Sequence, residues 1–170
     1  MSLTLAAVGA VTAALIELTV LYHLRVGSAH LHLVFVLAIV WTLVVGIEGG
    51  LVWAFVGGLV MDFLAPRPLG STAFTLLVVV GAAAVAGRAF GRLRYAAPIL
   101  LTFGLSFVYS LLFIAVFTAL RPSPGAPGFP GDPIDTVLPG AIFDTVVAAI
   151  LGPLAISIRA RSEEGERIGW

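Results

Sequence analysis

What most constrains this chain is the length and number of its apolar runs. Stretches covering 3–22, 32–47, 51–65, 71–87, 98–120 and 134–158 are predominantly apolar and are bounded by charge or by Gly and Pro. A helix rises about 1.5 Å per residue, so crossing a hydrocarbon core of about 30 Å takes about 20 residues. Six such runs use most of the 170 residues, leaving room for short loops and no soluble domain. A composition of 60% hydrophobic and 11% charged residues agrees, because a water-soluble fold of this length needs far more charge. The expected fold is therefore all-α, a polytopic six-transmembrane-helix bundle. One transmembrane domain is expected over 1–158, with a charged tail over 159–170. The first run lacks a basic n-region and exceeds a signal-peptide core in length, so it reads as a retained span. The third run is short, which predicts little tilt or a locally thinned bilayer.

Charge narrows the function. The nine basic residues are all Arg, and nine acids balance them, so there is no basic field for nucleic acid. Cysteine is absent, which removes disulfides, thiolate metal sites and a Cys nucleophile. Orientation follows from the short loops. Arg88, Arg92, Arg94, Arg159, Arg161 and Arg167 fall on one side of a six-span bundle, and Arg25, Arg67 and Arg121 on the other. The Arg-rich side is expected in the cytoplasm together with both termini. The loop from Arg121 to Pro133, with five Pro and three Gly, then faces outward, as does the turn Pro66-Arg67-Pro68-Leu69-Gly70.

Helices associate in lipid through close packing, since Leu against Leu gains nothing that acyl chains do not already give. Small residues four apart therefore mark contact faces. The first run carries Ala6, Ala10 and Ala14, the third Gly50, Ala54 and Gly58, and the last Gly140, Ala148 and Gly152. Each ladder also aims an acid inward at three- or four-residue spacing: Glu17, Asp62 and Asp144. A carboxylate at mid-membrane costs about 2.5 to 3.5 kcal/mol on insertion scales, so these acids are expected in the bundle interior. In the six-span order all three lie in the outer half, with Arg25 and Arg67 as candidate counter-charges. Three readings stand open: structural groups near helix ends, neutral or Arg-paired; a polar groove for a partner protein; and an ion or small-ligand pocket.

No catalytic set is visible. His-Glu-x-x-His, Gly-x-Ser-x-Gly and a phosphate-cradling Gly-x-x-x-x-Gly-Lys are all missing, and no His lies in the later spans to activate Ser71. His23, His30 and His32 surround the first outer turn, but no Cys or nearby acid in the sequence completes a metal set. The expectation is a non-enzyme with no cofactor and no metal. Trp41 and Trp53 read as packing residues.

The stretch Gly57-Gly58-Leu59-Val60-Met61-Asp62-Phe63, followed by Pro68-Leu69-Gly70 and a small-residue helix, resembles the MreD family of bacterial rod shape-determining proteins. The pattern is Gly-Leu-x-x-Asp ending one span and Leu-Gly opening the next. Length, span count and the lack of catalytic residues fit the same family. The resemblance implies a scaffold of the cytoplasmic membrane that binds MreC, a bitopic partner, in the elongation machinery containing MreB, RodA and a class B penicillin-binding protein. Gly57, Gly58, Asp62, Leu69 and Gly70 carry the resemblance, and together with Arg67, Glu17 and Asp144, read from the residues themselves, they are expected to be partner-binding or structural polar positions. Asp144 departs from the family pattern, where an uncharged amide is expected. The resemblance further implies a fold like the substrate-binding subunits of energy-coupling-factor vitamin transporters, which supply the alternative function. Those subunits dock their transport partner through an Ala-x-x-x-Ala face, here Ala6, Ala10 and Ala14. The long outer loop, made mainly of Pro and Gly with one Phe and one Asp, is poor material for a vitamin pocket.

The topology predicts that single cysteines at Ser123 and Ser162 label from opposite faces of the membrane. Labelling of both from one side would refute it.

Overall fold

The structure is a computed structural model that describes residues 3–21, 31–90, 96–120 and 133–168. Every regular element among them is helical. We number the helices α1 (Leu3–Ile16, continued by a π-helical turn, Glu17–Leu21), α2 (Leu33–Val44), α3 (Ile47–Leu64, with a π-helical turn at Trp53–Gly57), α4 (Ser71–Ala89), α5 (Ala97–Ala119) and α6 (Pro133–Ile168). Five of them are long and apolar enough to cross a membrane, and α2, at 12 residues, is not. At 1.5 Å per residue α2 is about 18 Å long, against the roughly 30 Å of a hydrocarbon core. The chain is thus a multi-pass helical membrane protein, with a sixth helix shorter than the sequence led us to expect.

The short element is the second run and not the third, because the chain breaks earlier than its glycine pair suggests. Glu48-Gly49-Gly50 lies inside α3, and the break falls at Gly46, whose φ of 135° suits a residue without a side chain. Gly49 and Gly50 serve close packing: a Cβ on either would strike Trp41 or Thr42 of α2. At its far end α6 continues as helix through the charged segment to Ile168, with Pro139 and Pro153 inside it. His23, His30, Arg25, Arg92, Arg94 and the Pro-rich loop from Arg121 lie outside the described residues.

The packing order explains how so short a helix is held. α2 packs against all five others, and those follow one another around it in chain order, α1 on α3, α3 on α4, α4 on α5 and α5 on α6. Its Val34, Phe35, Val36, Ala38 and Ile39 form the centre of the core. Small residues turn inward and large apolar ones outward. On α6, Gly140, Ala148 and Gly152 are buried, while Ile142, Val146, Ile150 and Leu154 stand exposed at four-residue steps, the arrangement of a helix with lipid on one side. Ala6, Ala10 and Ala14 of α1 are buried too, as are Gly50 and Ala54 of α3. Trp41 and Trp53 meet with tilted rings 5.5 Å apart, and Trp53 covers Gly9 of α1.

Gly57 and Gly58 lie where α3 meets three helices at once. A Cβ at Gly57 would lie 2.6 Å from Cγ1 of Val34 and 3.6 Å from Cβ of Ala10, and one at Gly58 would strike the backbone of Ala73 on α4. Backbone cannot yield as a side-chain tip can. Gly58→Leu should therefore cost about 1 to 3 kcal/mol by overpacking, read as a lower thermal midpoint of the purified protein in detergent. Leu at Gly81, where a Cβ meets nothing within 4 Å, is the control and should leave the midpoint near wild type.

Candidate functional site

In water, the first-turn N–H groups of a helix can bond to solvent, but inside a bilayer they must find a protein partner. The three buried acids supply those partners. Asp62, near the end of α3 and 2% exposed, reaches across to the start of α4. Its Oδ1 accepts from Thr72 N at 3.0 Å and Ser71 Oγ at 3.3 Å, and its Oδ2 from Thr72 N at 3.1 Å and Ala73 N at 3.3 Å. The turn between them makes this reach feasible: Gly70 adopts a left-handed conformation, φ 87°, immediately before α4. A carboxylate at a helix N-terminus also opposes the positive end of the helix dipole, a gain of about 0.3 to 1 kcal/mol and up to about 2 when buried.

The start of α2 is capped by two acids from different helices. Oε2 of Glu17, on α1, accepts from Val34 N at 2.8 Å. Oδ1 of Asp144, on α6 and fully buried, accepts from His32 N at 2.9 Å. Oδ2 of Asp144 meets His32 Nδ1 at 3.1 Å and accepts from Ser106 Oγ of α5 at 3.0 Å. The His32 ring stands edge-on to Tyr109 at 5.2 Å, and Tyr109 in turn lies on Phe35. His32 lies ahead of α2.

The other end of α2 is held as well. Arg159 Nη1 of α6 donates to the carbonyls of Val44 at 2.6 Å and Val45 at 2.9 Å. A cation there answers the negative end of the dipole as Asp144 answers the positive end. One helix thus grips the short α2 at both ends.

Arg67 does not pair with an acid among the described residues. It donates to Thr72 Oγ1 at 3.3 Å, and its guanidinium lies 5.3 Å from the centre of the Phe113 ring. Leu69 is exposed beside it. Of the positions singled out in the sequence, Gly57, Gly58, Asp62, Arg67, Leu69 and Gly70 come together at the α3–α4 corner, and Glu17 and Asp144 at the head of α2. Sequence reasoning did not single out Ser106, Tyr109 or Arg159 for this site, nor the acid beside His32. Asp144 is 112 residues away from that histidine, and only the folded bundle brings the two together.

The chemistry of these groups is that of anchoring. Each acid accepts from the N-terminus of a neighbouring helix, and Asp144 also engages a histidine and a serine. No protein-family model, curated protein or solved structure matches the chain.

Asp144→Asn keeps one oxygen for the His32 amide and should cost less than about 1.5 kcal/mol, whereas Asp144→Leu strands that amide and Ser106 and should cost about 2 to 4 kcal/mol.

Proposed function

We propose that the chain is a non-enzymatic scaffold of the bacterial cytoplasmic membrane, of the MreD kind, which binds MreC and through it the elongation machinery containing RodA, a class B penicillin-binding protein and MreB. The observation that supports this reading is that the residues carrying the resemblance act as one unit. Gly57 and Gly58 set α3 against α1, α2 and α4, Asp62 fastens α4, and Gly70 makes the turn between them. A motif used in this way holds a surface in shape, and Arg67 and exposed Leu69 lie at that surface. The buried acids accept hydrogen bonds from helix starts, a use of carboxylates that suits a scaffold. Both termini in the cytoplasm follow from the arginine distribution and belong to the same proposal.

The alternative, a substrate-binding subunit of a vitamin transporter, is less supported by this geometry. Ala6, Ala10 and Ala14, its expected docking face, are buried within the bundle where α1 packs on α3.

Affinity purification from native membranes in mild detergent tests the proposal. MreC should be recovered in near-stoichiometric amount, with RodA, the penicillin-binding protein and MreB following only when MreC is present. Recovery of a bound vitamin and a transport ATPase, with no cell-wall protein, would reverse it.

A further inference from the structure

The five helices around α2 do not form a closed ring. α1 packs on α2 and α3, and α6 on α2 and α5, but among the described residues α1 and α6 have no comparable packing on one another. The surface of α2 carries the mark of this opening. Its Val34 faces Gly57 of α3, Phe35 faces Tyr109 of α5, Thr42 faces Gly50 of α3, and Leu43 faces Gly87 of α4. Leu33, Leu37 and Val44 share one face of α2 and are only half-buried, whereas Trp41 packs on Trp53 of α3. The result is a lateral seam between α1 and α6 with an apolar floor about 16 Å long.

At one end of the seam α1 and α6 each bring an acid to the first turn of α2. Asp144 is engaged by His32 and Ser106. Glu17 is different: it is 9% exposed, it uses Oε2 on the Val34 amide, and its Oε1 has no partner among the described residues. A carboxylate oxygen at membrane depth with capacity to spare is costly unless a cation or donor meets it. Whatever polypeptide enters hydrocarbon must satisfy its own backbone, which restricts an occupant to a helix.

We infer that the α1–α6 seam is a docking groove for a single transmembrane helix of a partner protein, one whose apolar side lies on the Leu33–Leu37–Val44 stripe and whose Arg or Lys meets Glu17. This deepens the scaffold reading and rests on it for the existence of a lateral partner. Shape and chemistry agree, because the groove offers a straight apolar stripe with one carboxyl oxygen of Glu17 left for a donor at its end.

The probe is a synthetic helix of about 23 Leu and Ala residues with one Arg at the depth of Glu17, compared with the same helix carrying Leu there. The full chain is reconstituted in phosphatidylcholine vesicles, and binding is read by Förster transfer. The Arg helix should bind about tenfold more tightly, and Glu17→Gln should bring the two within about twofold. Thiol cross-linking from Leu37→Cys, which leaves Glu17 intact, should capture the Arg helix, while Phe74→Cys on the exposed face of α4 should not. Equal binding of the two helices, an Arg preference that survives Glu17→Gln, or capture at Phe74 in place of Leu37 would overturn the inference. Capture of only lipid or a second copy of the chain at Leu37 would do the same. The scaffold reading is separable from this result. MreC recovery unchanged by Leu37→Trp refutes the seam and leaves the scaffold, whereas Arg-helix capture by a protein that recovers no MreC keeps the seam and removes the scaffold.

Discussion

The bundle depends on the way α6 holds α2. A 12-residue helix cannot cross a bilayer alone, and its exposed first amides and last carbonyls would face hydrocarbon. Asp144 takes the first backbone amide and Arg159 the last carbonyls, both from one neighbouring helix that runs in the same direction. Each charge faces the end of the dipole that stabilises it. Because α2 in turn contacts every other helix, fixing its ends fixes the centre around which the rest are arranged.

The same logic accounts for acids that hydropathy alone would count as faults. A buried carboxylate without partners is expensive, and so is a buried helix start without acceptors. Asp62 at α4, and Glu17 with Asp144 at α2, join one deficit to the other. Polar residues at membrane depth thereby become the means by which helices recognise their neighbours. Large apolar residues, free to face lipid, carry little of that information.

Much of this was legible in the sequence, and the limits are physical. The all-helical class and the small-residue ladders followed from run length and four-residue spacing. So did the prominence of Glu17, Asp62 and Asp144, because a charge in an apolar run always needs explaining. The division of the second and third runs was misread at Glu48-Gly49-Gly50. A glycine pair looks the same in sequence whether it ends a helix or admits a neighbour, and Trp41 and Thr42 decide between the two only once α2 lies against α3. The partners of the acids were illegible for a related reason. Arg25 and Arg67 are the counter-charges the sequence offers the acids, yet the main partners of Asp62 are backbone amides, which every residue but proline possesses and no sequence pattern marks.

The two-ended grip on α2 makes α6 a measuring rod. From Asp144 to Arg159 the helix rises about 22 Å, close to the roughly 18 Å of α2 plus the reach of two side chains. One residue inserted between those positions would turn Arg159 by about 100° around α6, away from the carbonyls it serves. Relatives of this chain should therefore admit insertions freely in their loops but scarcely at all between these two charges. A change in the length of α2 should appear only alongside a matching change in α6.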